Sequence, residues 1–238
     1  MTRDLPGDQP MTTVAPPPEP HHIRVERTAR YYLLGTPGPA VRECWFVLHG
    51  YGQLAAPLAR RTAALARPGA LVVAPEALSR FYVDPPSAAS HAAARVGASW
   101  MTRDDREAEI ADYVAYLDRV RAEVERKCGG APLTIRVLGF SQAAATAFRW
   151  AALGSGDPPR TLLLWAGPLP AEISAEPARE RLRSTEIVLA GGDSDPFVSR
   201  DDLDRGAAEL GRLGYRVRTF TFPGEHTVTA EALAGAIA

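Results

Sequence analysis

The chain has 238 residues, 46% of them hydrophobic and 23% charged, which is ordinary globular composition and enough for one sizeable core. Its formal net charge of -1, with no Lys/Arg block, offers no basic field to a nucleic-acid backbone, so nucleic acid is not an expected partner. Two cysteines, Cys44 in an apolar run and Cys128 beside Gly129-Gly130, are too few for a disulfide framework or a thiolate metal cluster, and no metal or organic cofactor is expected.

Residues 1–20 carry six prolines and almost no apolar periodicity, so they are expected to be a disordered tail ahead of a single domain over 21–238. His21-His22 closes that tail; two adjacent histidines do not make a coordination sphere. Neither a signal-type apolar region nor a bilayer-length apolar run is found, so a cytoplasmic chain without stable membrane insertion is expected. From Ile23 to Leu34, β-branched and aromatic residues predict a first strand, stopped by Gly35-Thr36-Pro37-Gly38-Pro39. The continuous apolar run Cys44 to Leu48 predicts a strand covered on both faces, and it ends at His49-Gly50-Tyr51-Gly52. Similar runs follow at Ala70 to Ala74, Leu133 to Leu138, Thr161 to Trp165, Ile187 to Ala190 and Val217 to Phe222. Helical spacing lies between them, over Pro57 to Ala66, Asp104 to Lys127, Gln142 to Leu153, Asp201 to Leu213 and Val228 to Ile237. Buried strands alternating with amphipathic helices predict an α/β fold: a mostly parallel central sheet with helices on both faces.

Chemistry concentrates where strands end. Leu138-Gly139-Phe140-Ser141-Gln142-Ala143 sets a serine between a strand and an alanine-rich helix, the context of a nucleophile elbow. A serine there sits on a sharp strained turn, so positions two residues away must be small, as Gly139 and Ala143 are. The helix that starts at the serine points backbone N–H groups at the reacting centre, which suits the oxyanion of acyl transfer. Beyond the strand Ile187 to Ala190, Gly191 to Val198 carries two carboxylates, Asp193 and Asp195, and Glu225-His226 lies beyond the last strand. Serine, acid and histidine, in that chain order and each at a strand end, form a candidate triad. The turn His49 to Gly52 is a candidate oxyanion loop, with the backbone N–H of Tyr51 as one donor and that of Gln142 as the other; His49, ahead of the serine, is expected to hold the loop.

Together, Leu48-His49-Gly50-Tyr51-Gly52, Ala74-Pro75-Glu76, Gly139-Phe140-Ser141-Gln142-Ala143, Gly192 to Val198 and Gly224-Glu225-His226 resemble the phospholipase/carboxylesterase group of the α/β-hydrolases, small serine esterases related to acyl-protein thioesterases. The resemblance covers most of the chain after about residue 40 and implies an α/β-hydrolase fold without a large cap domain. It implies a catalytic set of Ser141, His226 and, as the second aspartate of the Asp-x-Asp-Pro turn, Asp195, with Asp193 as a turn-former. It further implies cleavage of a small-molecule carboxylic ester through an acyl-enzyme, without cofactor, and leaves a homodimer open. Phe81, Trp100 and Phe197 become substrate-pocket candidates, as loop residues near the site. Gln53-Leu54-Ala55 departs from the thioesterase continuation, and a thioesterase, a lysophospholipase or a non-catalytic binding protein are the alternatives. Between Trp165 and Thr185 there is room for a loop and about one short helix, not for a lid.

Overall fold

The computed structural model of the chain describes residues 18–84 and 94–238. Among them, seven strands form one sheet: β1 (Tyr31–Leu34), β2 (Glu43–Leu48), β3 (Ala70–Pro75), β6 (Thr134–Phe140), β7 (Thr161–Trp165), β8 (Glu186–Gly192) and β9 (Arg216–Phe222). Their order across the sheet is β1-β3-β2-β6-β7-β8-β9, and every neighbouring pair is parallel except β1 with β3. The apolar runs explain this directly, since β2, β3, β7 and β8 are buried along almost their whole length, as strands covered on both faces must be.

Helices cover both faces. Buried side chains of α2 (Arg106–Lys127), α3 (Gln142–Leu153), α4 (Glu176–Leu182) and α5 (Arg200–Arg212) join one core layer, with Tyr113, Leu117, Phe148, Leu182 and Leu210 at its centre. Those of α1 (Ala55–Arg61) and α6 (Ala230–Ile237) join the other, with Leu58 and Leu233 packing against Trp45, Phe140 and Trp165. Between Trp165 and Thr185 lie only a 3₁₀ turn over Ala171–Ser174 and the seven-residue α4, whose Ala178 and Leu182 are buried in the core. This segment is spent on packing and does not roof the site.

Two expectations need correction. The first strand starts at Tyr31, not at Ile23, because among the described residues it pairs with β3 alone: Tyr31 pairs with Pro75, where β3 stops, and one further bond from Glu76 N–H to Arg30 C=O ends the ladder. Among the described residues, 18–29 pair with no strand, and Ile23 and Val25 are exposed. The stretches around Phe81 and before Trp100 are not loops but a small antiparallel ribbon, β4 (Ser79–Tyr82) with β5 (Val96–Ser99). Two four-residue strands are marginal on their own. The ribbon stands because it docks on the turn after β2: Gln53 bridges to Ala98, and a Cβ on Gly97 would meet Gly52 O at 2.3 Å, so only glycine permits that approach. The expected tail over 1–20 lies outside the described residues except for 18–20. Among the described residues, no helix is long and apolar enough to cross a membrane.

Parallel register decides where the site falls. Leu48 pairs with Gly139, Phe140 with Trp165, Trp165 with Ala190 and Gly192 with Phe222. His49, Ser141, Ala166, Asp193 and Pro223 therefore leave the sheet side by side along its carboxyl edge, where α/β sites form.

Candidate active site

Ser141 is the strained residue at the centre of this edge. Its φ of 56° and ψ of -122° lie in a region that side chains avoid, a cost of about 1–3 kcal/mol that the surroundings must impose. The imposition is visible. Ser141 N–H donates to Trp165 C=O at 2.8 Å, Ala144 N–H donates to Ser141 C=O at 2.9 Å, and α3 begins at the next residue. A Cβ on Gly139 would lie 2.1 Å from Ala143 O, which explains the small residue two before the serine. A glycine that sequence reading passes over, Gly167, does the same from β7: a Cβ there would lie 2.1 Å from Ser141 O.

The two loops at the far strands carry the acid and the histidine, and they are laced together. Asp193 N–H donates to Phe222 C=O and Ser194 N–H to Gly224 C=O, both at 2.9 Å, while Gly224 N–H donates back to Asp193 Oδ1 at 3.1 Å. Those bonds, first the Gly224 N–H and then the Ser194 hydroxyl, hold the Asp193 carboxyl below the usual carboxylate range. From the sheet side, Trp165 Nε1–H anchors the same loop on Thr227 C=O at 2.8 Å. Asp195 lies deeper, its side chain fully buried. Its Oδ1 accepts from the backbone N–H groups of Phe197 at 2.8 Å and Val198 at 3.2 Å, and its Oδ2 faces His226 Nδ1 at 2.8 Å. A carboxylate so placed can only accept, so the imidazole proton sits on Nδ1 and Nε2 is left as the basic nitrogen. The imidazole packs with its centroid 4.8 Å from that of Phe140, next to the serine, and equally far from Phe197 on its other side.

The turn after β2 meets the serine from the opposite side, since a Cβ on Gly50 would come within 3.1 Å of Ser141 Cβ. Three of its N–H groups are engaged: Gly50 with Gln53 Oε1, Gly52 with Ala98 C=O, and Gln53 with Gly50 C=O. Tyr51 N–H shares a rigid peptide plane with Gly50 C=O, which accepts at 2.8 Å from His49 Nδ1 and at 3.2 Å from Gln53 N–H. Fixing that carbonyl aims the Tyr51 N–H. Gln142 N–H is aimed in the same way, through the Ser141 carbonyl already described.

His49 is fully buried and uses both ring nitrogens on backbone, Nδ1 donating to Gly50 C=O and Nε2 accepting from Ala77 N–H at 3.1 Å. Burial lowers its pKa, so the folded state holds it neutral. A depressed folded value means that its stabilisation is complete above the ordinary imidazole range and is lost as pH falls through the folded value. Acidification should therefore lower the melting temperature of the wild type more steeply than that of His49→Gln; parallel slopes would show that His49 carries no such linkage.

The expected pocket residues fall into two kinds. Phe81 is half-buried and its ring lies 5.2 Å from that of Tyr51, which is 61% exposed, while Phe197, 75% exposed, packs against His226. Trp100 is buried, donating its indole N–H to His49 C=O at 2.8 Å and packing on His49 and Tyr113. Among the described residues, no group of three or more His, Cys, Asp or Glu side chains is gathered so as to hold a metal.

Solved structures share this arrangement of strands and helices. Acyl-protein thioesterase 2 of Zea mays superposes with a TM-score of 0.64 at 19% identity, covering 87% of this chain and 96% of its own. A carboxylesterase from Mesorhizobium loti gives 0.60 at 22%, covering 87% and 91%, and a phospholipase/carboxylesterase from Dyadobacter fermentans gives 0.59 at 18%, covering 89% and 95%. The chain has the α/β-hydrolase fold. No protein-family model and no curated protein sequence matches it.

Proposed function

We propose that the protein is a serine hydrolase of the phospholipase/carboxylesterase group that cleaves carboxylic esters of short to medium acyl chain. The observation that carries the reading is the buried Asp195 bonded at 2.8 Å to Nδ1 of His226, in a loop laced to the sheet edge where Ser141 occupies its strained elbow. In this reading His226 Nε2 takes the Ser141 proton as Oγ attacks the ester carbonyl, and the proton then passes to the leaving alcohol. Asp195 fixes the tautomer and stabilises the imidazolium. The N–H groups of Tyr51 and Gln142 receive the oxyanion. Water, deprotonated by the same imidazole, then attacks the acyl-enzyme and releases the acid.

Substrate size is read from the aromatic side chains around Ser141 and His226 and from the short segment after β7. Tyr51 and Phe197, open to solvent, and the half-buried Phe81 offer apolar contact to an acyl or alcohol group, and the segment after β7 holds only a 3₁₀ turn and one short helix. An open site has no closed-to-open switch for a lipid surface to drive. Turnover of nitrophenyl esters from acetate to palmitate should peak at short to medium chains, with no jump when substrate passes its solubility limit. A preference for palmitate with activation at the interface would overturn the reading. A thioester substrate is the second reading, favoured by the fold shared with the maize acyl-protein thioesterase, and acyl thioesters of matched chain length in the same panel decide between them.

A further inference from the structure

Gln142 enters the proposed mechanism through its backbone, yet its side chain makes more hydrogen bonds than its main chain has to spare. Nε2 donates to Met101 C=O at 2.9 Å and to Ser99 Oγ at 3.1 Å, and Oε1 accepts from Trp100 N–H at 3.2 Å. Ser99 Oγ gives its own proton to Met101 C=O at 2.8 Å, so it faces Gln142 as an acceptor. The amide orientation is therefore forced: reversing it would set an oxygen against the Met101 carbonyl and an NH₂ against the Trp100 N–H. The segment 99–101, gripped in this way, also reaches the turn after β2. Trp100 Nε1–H holds His49 C=O at 2.8 Å, and Ala98, one residue before the grip, exchanges backbone bonds with the turn through Gly52 N–H and Gln53 C=O.

Resting on the hydrolase reading above, we infer that the Gln142 side chain is a positioning residue that ties the two oxyanion donors into one rigid unit. One donor sits on Gln142 itself and the other on the peptide between Gly50 and Tyr51. These segments follow β6 and β2, which pair side by side, and the 98–101 strip adds a second tie between them through the Gln142 amide, the Trp100 indole and the Ala98 backbone. An anion forming between them needs both N–H groups within a few tenths of an ångström of their place, and misplacement of about 1 Å in such a site can cost about 100-fold. The energetic reason for a side chain to make three internal bonds at this point is that each removes a freedom the hole would otherwise have to lose when charge develops.

The test compares wild type, Gln142→Met, which keeps length and loses every bond, and Trp100→Phe, which loses only the link to His49. Ester kcat and KM are measured together with the inhibition constant of a trifluoromethyl ketone, whose adduct with the serine places an oxyanion in the hole. In Gln142→Met, kcat should fall about 10- to 100-fold with KM within about twofold, and ketone affinity should weaken by the same factor as kcat. Trp100→Phe should move the same two quantities together by about 3- to 10-fold, and the double variant should lose less than the product, as members of one unit do. A folded Gln142→Met with wild-type kcat and ketone affinity, whatever its melting temperature, overturns the inference and leaves the hydrolase reading intact. Should Gln142→Met not fold, Trp100→Phe decides by the same criterion. A wild type that turns over no ester and takes no fluorophosphonate label on Ser141 overturns the hydrolase reading, and this inference with it.

Discussion

Replacing Ser141 with alanine should remove ester turnover by a factor on the order of 10⁴–10⁶ and should abolish labelling by a fluorophosphonate probe, while the protein stays folded. The effect is expected to be this large because in the proposed mechanism the oxygen itself is the nucleophile, and the parts that would remain give only the residual catalysis of binding and a preorganised hole. Folding should survive because the strained turn is imposed from outside the side chain. The Ser141 N–H bond to Trp165, the Ser141 C=O bond from Ala144 and the close approach of Gly139 and Gly167 all involve main chain, which alanine retains. Peptide mapping of the labelled wild type should place the adduct on Ser141. Label that persists in Ser141→Ala would assign the nucleophile elsewhere.

Asp195→Asn should cost turnover about 10⁴-fold and Asp193→Asn only a few-fold. The two aspartates are two residues apart and differ in what they serve. The Asp195 side chain is buried, and its Oδ2 receives the proton side of His226; an amide there either offers its own N–H to Nδ1 or turns the ring, so the imidazole loses the tautomer and orientation that the proposed mechanism needs. Asp193 accepts from Gly224 N–H and the Ser194 hydroxyl, and the carbonyl oxygen of asparagine can accept the same two bonds. Equal losses in the two variants would leave the acid unassigned, and a larger loss at Asp193 would reverse the choice.

What could be read from the residues alone was whatever rests on local pattern and chain order. The apolar run at Cys44 to Leu48 and the small residues around Ser141 each report a local requirement, burial on two faces or a turn tight enough to exclude side chains. So the strands, the α/β architecture and the carboxyl-edge placement of the serine, aspartate and histidine segments follow from them, while the resemblance carried by those segments together implied the α/β-hydrolase fold. The start of β1 did not, because Ile23 to Arg30 are as strand-prone as Tyr31 to Leu34 and differ only in lacking a partner once β3 ends at Pro75. The β4–β5 ribbon did not either, since its stability comes from docking on the turn at Gly52 and Gln53, a contact between segments more than forty residues apart in sequence.

The sequence by itself determined which residue types stand at the ends of the strands and in what order, since periodicity and turn chemistry act over a few neighbouring residues. Only the tertiary structure decided how those ends are joined. It sets Asp195, the aspartate to which the resemblance already pointed, against His226, buries Trp100 against His49 and Tyr113, and turns the Gln142 amide toward Ser99, Trp100 and Met101. The physical reason is that hydrogen bonds and close packing between distant segments depend on register across the sheet, and register is a property of the assembled strands, not of any one of them.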